Sequence, residues 1–499
     1  MFRKILIVNR GEIAVRIIRA CRDLGIRTAV MFSEADRTAM HVRMADEAYS
    51  LPGNTPAESY LRQDRIIEIA KRSAADAVHP GYGFLSENPE FAERVESEGI
   101  KFIGPSARAI RALGDKTAAR KVADRLQIPT VPGTSESVSN ERQAYSIASK
   151  VGYPVLLKAA AGGGGKGMRI VRAEAELANS FRTAKSEAEN AFGDDHVYIE
   201  KYIAHPRHVE IQILSDSQGN AVYLGERECS IQRRHQKLIE ETPSTIVDNE
   251  MRKAMGESAV RLVQAVDYGG AGTVEYLVDE HGHFFFLEVN TRLQVEHPVT
   301  EMVTGIDLVH QQILVSAGER LSVTQAKISP KGHSIECRIC AEDPQDSFFP
   351  STGLLLKYST PQGPNVRVDN GFSEGDSIST FYDPLMAKVI TWGSNRSQAI
   401  ETMKRALAEF MIQGVKSTIP FCVFAMNNKQ FCDGDFNTDF VKTVFNPKQV
   451  DPVSTQDQIA AAVTAALLQS GAQTKQTVFM DHQSENHSTW KTLRLESYR

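Results

Sequence analysis

Two carboxylates, Glu275 and Glu288, lie inside apolar runs that are typical of a β-hairpin. The runs are Thr273–Val278 and Phe284–Val289, and a short Gly-containing loop with its tip at His281–Gly282 separates them. Counting back from that tip places the two carboxylates directly opposite each other. Such a pair in an apolar ribbon is repulsive unless a cation lies between its members. Because Mg²⁺ prefers oxygen ligands, the spacing predicts a metal site.

The polar residues after the hairpin fall on every second position, through Glu288, Asn290, Arg292, Gln294 and Glu296. An extended backbone places all five side chains on one face. A straight row would be about 26 Å long, too long for one pocket, so we expect a bend at residues 291–293. A solvated strand face gives the same alternation. The continuity of this row with a predicted metal ligand favours a functional site.

A glycine-rich segment at residues 159–168 follows the apolar strand Val155–Lys158 and precedes a second strand at residues 169–172. Consecutive glycines let backbone N–H groups surround an anion, and Lys166 adds positive charge. The segment is not a Walker A loop, because residue 160 is Ala and residue 167 is Gly. A flexible linker is the alternative, but the flanking strands favour a hairpin flap over phosphates.

Two further segments carry charged residues before the acidic hairpin. In the predicted strand Arg207–Leu214, alternation places His208, Glu210 and Gln212 on one face. The segment Ser230–Lys237 concentrates three cations and one histidine in what we predict to be a loop. A basic surface run is the alternative, but its position favours contact with anions of a substrate.

Size and charge limit the class of protein. The 499 residues suffice for three domains, and a net charge of −5 with pI near 6.3 gives no argument for nucleic acid or an anionic membrane. The sequence has no run of 18 apolar residues, so no membrane span is predicted. Because the first residues lack a long apolar stretch and a small-residue cleavage site, we expect a cytoplasmic protein.

The six cysteines give little support to a metal site. Cys337 and Cys340 form a single CxxC without a second pair, so zinc is a weak interpretation. The surrounding residues alternate like a strand, which directs the two thiols to opposite faces. We expect reduced core thiols.

The order of predicted elements indicates an α/β protein with three units. Strands at residues 2–8 and 28–32 flank a helical pattern, which predicts a parallel, Rossmann-like sheet. The turn between them holds only Gly11, so a dinucleotide site is improbable. A helix beginning at Asp115–Lys116 opens the second unit. Strands within residues 333–393 and an amphipathic helix near residues 397–408 predict a third, α+β unit.

With these features in hand, the chain resembles the ATP-grasp enzymes, specifically the biotin carboxylase subunit of biotin-dependent carboxylases. The segments that carry the resemblance are KILIVNRGEIAVRIIRA, HPGYGFLSEN, GGGGKGM, RHVEIQ, RRHQK, EVNTRLQVEHPVTE and ECRICAEDP. It implies an N-terminal biotin carboxylase domain at 1–113, an ATP-grasp domain at 114–330 with a mobile lid at 131–203, a C-terminal domain at 331–446, and a tail at 447–499. For the tail we expect a partner-docking helix at 455–469 with Trp490, or partial disorder.

The resemblance also implies a role for individual residues. Metal ligands for Mg²⁺ or Mn²⁺ would be Glu275, Glu288 and Asn290. ATP would be bound by Lys116, Lys158, Gly163, Gly164, Gly165, Lys166, Gly167, Glu200, Lys201, Ile203, His208, Gln232 and His235. Bicarbonate would contact Lys237, Arg292, Gln294 and Val295. Glu296 would be the general base, with Lys237, Arg292 and Arg338 as the other catalytic residues. Biotin would contact Tyr82, Gly83 and Arg338.

The biotinylation motif of the family, Ala/Val-Met-Lys-Met, does not occur, and Met386-Ala-Lys388 is the nearest sequence. We therefore expect biotin on a separate carrier protein and a separate carboxyltransferase partner, and the resemblance implies a homodimer. The final acceptor stays open among acetyl-CoA, another acyl-CoA, pyruvate and another 2-oxo acid. The alternatives are another bicarbonate-using ATP-grasp ligase, such as half of a carbamoyl-phosphate synthetase or a purine-pathway carboxylase, and a non-catalytic nucleotide-binding module.

Overall fold

The computed structural model describes residues 1–134, 137–159, 168–192, 196–449 and 463–466. The chain divides into two compact units, Met1–Pro447 and Lys448–Arg499. In the second unit, the described helical residues 463–466 fall within the predicted Ala-rich helix. The rest of that helix and Trp490 lie outside the described residues. None of the described helices has the length and apolar character needed to cross a membrane.

The first sheet has five parallel strands in the order β3-β2-β1-β4-β5, which confirms the predicted parallel sheet. Its elements are β1 (Lys4–Ile7), α1 (Gly11–Asp23), β2 (Arg27–Phe32), α2 (Met40–Met44), β3 (Glu47–Ser50), α3 (Gln63–Arg72), β4 (Ala77–His79), α4 (Pro89–Ser97), β5 (Lys101–Phe102) and α5 (Ala107–Gly114). Strand β1 is fully buried at Ile5, Leu6 and Ile7 because helices cover both faces.

A three-stranded antiparallel sheet, β7-β6-β8, follows and has a hydrophobic core of its own. The elements here are α6 (Lys116–Arg125), α7 (Glu141–Val151), β6 (Val155–Ala159), β7 (Met168–Val171), α8 (Glu174–Phe192) and β8 (Val197–Lys201). Helix α6 begins where predicted, because the Asp115 side chain accepts a hydrogen bond from the Ala118 N–H. The pairing of β6 with β7 confirms the predicted hairpin around the glycine-rich segment.

The largest sheet has eight antiparallel strands in the order β13-β12-β9-β10-β11-β14-β21-β19. Its strands are β9 (Arg207–Ser215), β10 (Ala221–Arg233), β11 (Gln236–Thr242), β12 (Gly270–Val278), β13 (Phe284–Asn290), β14 (His333–Cys340), β19 (Val366–Asn370) and β21 (Leu385–Gly393), with helices α9 (Asn249–Gln264), α10 (His297–Thr304) and α11 (Leu308–Ser316). The sheet continues across residue 330, so strands on both sides of that position can contribute to one site.

The remaining C-terminal elements are short strands and helices around the core that Met386, Met403 and Phe421 share. They are β15 (Glu342–Asp343), β16 (Phe349–Pro350), β17 (Gly353–Leu354), β18 (Lys357–Ser359), β20 (Ser377–Ile378), α12 (Arg396–Glu409), β22 (Met411–Gln413), α13 (Ile419–Asn427), α14 (Lys429–Asp433) and α15 (Phe440–Thr443). Single 3₁₀ turns lie at Glu34–Asp36, Gln325–Lys327, Pro344–Asp346 and Pro447–Gln449. Helix α12 is the predicted amphipathic helix, and the fold is the predicted α/β arrangement.

The acidic hairpin pairs Glu275 with Glu288, as predicted, although the register near its tip differs from the prediction. Counting from the tip pairs residue 279 with residue 284, whereas the structure pairs Val278 with Phe284. A register shift between the two positions restores the expected opposition of the carboxylates. A β-bulge adds one residue to one strand, and here it corrects a count that local sequence could not.

Two other local predictions have different outcomes. The polar row bends as expected, because β13 ends at Asn290 and α10 begins at His297. The predicted basic loop is wrong: β10 runs to Arg233 and β11 starts at Gln236, so the segment is a β-hairpin with a two-residue turn. Both turn residues have positive φ angles.

The six cysteines are unpaired, and only Cys432 is exposed. This agrees with the interpretation of Cys337 and Cys340 as core thiols.

Candidate active site

Lys237 lies at the centre of a buried group of three carboxylates on the eight-stranded sheet. Its Nζ is 2.6 Å from Glu210, 2.9 Å from Glu275 and 2.7 Å from Glu296. We call these four residues the Lys237 cluster. Burial opposes the charge on Lys237, but the surrounding acids hold the pKa of its ammonium well above the usual value.

Neighbouring strands supply the members of this cluster. Glu210 on β9 is paired with Glu275 on β12, and Glu275 is paired in turn with Glu288 on β13. Their side chains share one face because residues paired across antiparallel strands point the same way. Lys237 reaches that face from β11, and Glu296 reaches it from the residue just before α10. The predicted face of β9 is confirmed: His208 contacts Glu275 at 2.8 Å and lies beside Glu210.

Glu296 is fully buried and is held by two cations. One carboxylate oxygen is 2.7 Å from Lys237 Nζ, and the other is 2.8 Å from Arg338 Nη2. Burial alone would raise the pKa of Glu296, yet the positive charges of Lys237, Arg338 and Arg227 hold it well below the usual range. The carboxylate is therefore ionised at neutral pH.

Arg338 connects this cluster to a cavity of about 450 Å³. Its side chain lines the cavity together with Tyr82, Gly83 and Val295, so three predicted biotin contacts and one predicted bicarbonate contact border the same space. Tyr82 donates a hydrogen bond to Glu12 on α1. Asn9 fixes the loop that carries Tyr82, because its Nδ2 donates to the carbonyl oxygens of both Pro80 and Tyr82 at 2.7 Å.

The bend after β13 is held by contacts on both sides. Arg292 Nε donates to Glu87 at 2.8 Å, and Arg292 Nη1 donates to the Gln294 side chain at 2.9 Å. The Val295 carbonyl accepts from Lys388, a fully buried lysine, at 2.8 Å. These contacts bring three predicted bicarbonate ligands toward the Lys237 cluster.

The predicted metal ligands form a set of hard oxygen donors. Glu275 accepts from Lys237, His208 and the Asn290 side chain, and Glu288 is 2.6 Å from Lys116 Nζ. Each carboxylate thus has a positive partner of its own here. Two carboxylates on opposed positions of one hairpin, with an amide beside them, fit a hard divalent cation. A second cavity, of about 500 Å³, is lined by Lys116, Glu288 and Asn290.

The predicted nucleotide contacts are only partly brought together. Lys158 and Glu200 are 3.1 Å apart on β6 and β8, and Arg120 is 2.9 Å from the same carboxylate. Lys201 instead donates to the carbonyl oxygens of Gly152 and Tyr153.

Ile203 follows β8, Gln232 is on β10, and His235 is exposed in the turn after it. The residues Gly163, Gly164, Gly165, Lys166 and Gly167 lie outside the described residues.

Sequence reasoning missed several side chains that hold the site together. Arg227, fully buried on β10, donates to Glu210 and to Gln212. Glu240 on β11 accepts from Arg338 at 2.6 Å. No local pattern in the strands of Arg227 and Glu240 pairs these residues with their distant partners.

Comparison with known proteins agrees with this geometry. Three family models match: "Biotin carboxylase, N-terminal domain" at residues 1–110, "Carbamoyl-phosphate synthase L chain, ATP binding domain" at 115–324, and "Biotin carboxylase C-terminal domain" at 336–443. Together they define an ATP-grasp enzyme of the carboxylase type. The chain belongs to the biotin carboxylase family.

Individual relatives are similar over most of their length. Biotin carboxylase 1 of Bacillus subtilis is 52% identical over 444 residues, covering 89% of this chain and 99% of the relative. The biotin carboxylase of a Nostoc species is 51% identical over 441 residues, covering 88% and 99%. The biotin carboxylase domain dimer of Hydrogenobacter thermophilus 2-oxoglutarate carboxylase, in complex with MgADP, ADP and bicarbonate, has a TM-score of 0.84 at 47% identity, covering 91% and 99%.

Proposed function

We propose that this chain catalyses the ATP- and bicarbonate-dependent carboxylation of biotin through carboxyphosphate. The observation that carries the proposal is the buried Glu296 carboxylate, held between Lys237 and Arg338, of which Arg338 lines the 450 Å³ cavity. A carboxylate among cations is suited to accept a proton from an anionic substrate whose charge the same cations screen.

In the first step, Glu296 removes the proton of bicarbonate while the freed oxygen attacks the γ-phosphorus of ATP, and ADP leaves. Lys237 and Arg292 screen the approach of two anions, with Gln294 and the Val295 backbone holding bicarbonate. When bicarbonate shares the charge of Lys237, the cation depresses the Glu296 pKa less, so the carboxylate becomes a stronger base.

Glu275, Glu288 and Asn290 would hold Mg²⁺ or Mn²⁺, which would supply charge screening at the ATP phosphates. Lys116 and Lys158, with the glycine-rich segment at residues 163–167, would bind the phosphates. The remaining nucleotide contacts would be Glu200, Lys201, Ile203, His208, Gln232 and His235. Lysine ammonium groups suit phosphate oxygens because they act as compact point charges.

In the second step, carboxyphosphate gives CO₂ and phosphate, and the phosphate removes the ureido proton of biotin. The biotin nitrogen then forms its bond to CO₂. Arg338 stabilises the negative charge that develops on the biotin oxygen, and Tyr82 with Gly83 lies against the ring system.

We further propose the division 1–113, 114–330, 331–446 and 447–499, in which residues 131–203 form a lid. The separate core under β6–β8 supports a lid that moves as a unit, since its buried residues pack among themselves. Hydrogen exchange with and without a non-hydrolysable ATP analogue tests this, and equal protection in both states would contradict it.

For the partners, we propose a separate biotin carrier, a separate carboxyltransferase and a homodimer of this chain in the cytoplasm. Lys388, in the sequence nearest to a biotinylation motif, has no exposed surface and is 3.1 Å from Glu12, so a ligase could not reach it. The purified chain should give no band on a streptavidin blot, and a biotinylated band at its mass would refute the separate carrier.

The decisive experiment measures ATP hydrolysis with and without bicarbonate, and again with free biotin. Hydrolysis should require bicarbonate and rise with biotin. The variant Glu296→Gln should lose this activity. The matched control is Glu301→Gln, a second buried carboxylate one helical turn further along, paired with Arg16 and Arg367. Hydrolysis at an equal rate without bicarbonate would refute the proposal.

A further inference from the structure

Glu240 is a second carboxylate partner of Arg338, besides Glu296. It is fully buried on β11, and its Oε1 accepts a hydrogen bond of 2.6 Å from Arg338 Nε. A different nitrogen of the same guanidinium, Nη2, donates to Glu296 at 2.8 Å. Arg338 is therefore held between two carboxylates through separate atoms, so one contact can weaken while the other persists.

Glu240 also faces a second buried acid. The register of β11 and β14 pairs it directly with Glu336, which is fully buried as well. Among the described residues, Glu240 Oε2 and both carboxylate oxygens of Glu336 have no hydrogen-bond partner. Two ionised carboxylates paired in this way would repel each other at low dielectric, so one of them is protonated.

The surrounding charges decide which acid is neutral. Burial raises the pKa of Glu336 well above its usual value, against the opposing charge of Lys388 on β21. Burial also raises the pKa of Glu240, to about 7, although Arg338 on β14 acts in the opposite direction. The other groups acting on Glu240 are Glu296 before α10, Lys237 on β11 itself, Glu336 on β14 and the Cys229 thiol on β10. Glu336 is thus the protonated member.

The two carboxylates around Arg338 have different fates in the proposed reaction. Glu296 loses its negative charge when it takes the proton of bicarbonate, and its ion pair with Arg338 then weakens. Glu240 does not contact bicarbonate in that scheme and keeps its charge. The hydrogen bond from Nε to Glu240 therefore keeps the guanidinium in place, while Nη2 becomes available to the biotin oxygen.

We propose that Glu240 is a positioning residue for the biotin half of the reaction: it anchors Arg338 while Glu296 changes protonation, and a protonated Glu336 beside it keeps a single negative charge at that anchor. This inference rests on the function proposed above, and it adds a residue that touches neither ATP nor biotin.

The test compares Glu240→Gln with Glu241→Gln, the adjacent residue on the opposite face of β11. Glu241 is equally buried and is paired with Arg396 at 2.7 Å and with His333 at 2.7 Å, so it controls for loss of a buried ion pair. For each variant, bicarbonate-dependent ATP hydrolysis, kcat and KM for free biotin, and thermal melting are measured. Glu240→Asp, which keeps the charge on a shorter side chain, serves as the conservative variant.

We expect Glu240→Gln to lower kcat for biotin carboxylation by about 100-fold, the loss that a displacement of about 1 Å can cause. Bicarbonate-dependent ATP hydrolysis should fall much less, and Glu240→Asp should recover part of the loss. The wild-type rate should decline as pH falls below about 7, since an ionised Glu240 is required, and Glu240→Gln should lack this decline.

Equal behaviour of Glu240→Gln and Glu241→Gln would overturn the inference, as would an equal loss of ATP hydrolysis and biotin carboxylation. If Glu240→Gln does not fold, Glu240→Asp against Glu241→Asp gives the same comparison. The proposed function fails separately, when the wild-type protein itself shows no dependence on bicarbonate.

Discussion

Two buried ionic clusters in this protein resemble each other in composition but differ in whether they reach a cavity. In the Lys237 cluster, one ammonium group contacts three carboxylates. In the second, which we call the Glu301 cluster, Arg16 and Arg367 face Glu301 and Asp369. Each Glu301 oxygen has its own arginine partner, and Arg16 also pairs with Asp307.

The difference bears on the proposed chemistry. Glu301 has its pKa lowered to about 2, because the charges of Arg16, His297 and Arg367 outweigh the effect of burial. Such a closed arrangement fixes α10 against α1 and β19. The carboxylates of the Lys237 cluster also have Arg227 and Arg338 as cationic partners, and Arg338 lines a cavity. Cations beside a cavity can contact an anionic substrate, whereas a cluster enclosed by packed elements holds those elements together.

The largest expected effect separates the two clusters directly. Lys237→Met leaves three buried carboxylates without their shared cation, so carboxylation should fall by at least about 1000-fold. Arg367→Met, in the Glu301 cluster, should cost about 3–5 kcal/mol of stability as a broken buried pair while retaining activity per folded molecule. Melting and bicarbonate-dependent ATP hydrolysis are measured together. Equal loss of activity in both variants would contradict the proposal that the Lys237 cluster, and not the Glu301 cluster, takes part in catalysis.

Arg338→Ala tests whether the edge of the Lys237 cluster serves biotin. Removing the guanidinium should lower biotin carboxylation by about 100-fold, as loss of one donor at a developing negative charge does. Binding of ATP, followed by calorimetry, should change little, because Arg338 is paired with Glu240 and Glu296. An equal loss of both would move Arg338 to the nucleotide site.

Glu288→Gln tests the predicted metal pair at the other edge. The variant should weaken the use of MgATP by at least about 10-fold, since one hard ligand is lost. Its melting temperature should hold, because the Glu288 side chain is 25% exposed and, among the described residues, its ion-pair partner is the largely exposed Lys116. Titration with Mg²⁺ measures the first effect. A collapse in melting would mean that the pair is structural.

The last prediction concerns stability at acid pH rather than activity. The pKa of Glu301 is about 2 in the folded protein, against an ordinary value of 4.5, so ionised Glu301 favours the folded state. This contribution, about 3 kcal/mol, is complete above pH 4.5 and is lost as pH falls toward 2. The difference in melting temperature between wild type and Glu301→Gln should therefore narrow between pH 5 and pH 3. A difference in melting temperature that stays constant with pH would contradict an ionised Glu301 in the folded protein.

The sequence by itself determined the local parts of this protein. The βαβ order predicted the parallel sheet, and alternation predicted the shared face of β9. The opposition of Glu275 and Glu288 was also predicted, although a bulge rather than the simple count produces it. These features depend on residues close in the chain, where periodicity and turn chemistry act directly.

Only the tertiary structure decided how the site is assembled. The strand order β9-β10-β11-β14 places Arg338 beside Glu240, which lies about a hundred positions earlier in the sequence. The same sheet brings Lys237 into contact with carboxylates from three other segments. The basic segment, predicted to be a loop, is a hairpin because its residues pair across β10 and β11, and Lys237 within it reaches carboxylates on distant segments. Alternation tells which residues share a face, but pairing between distant strands depends on the packing of the whole chain.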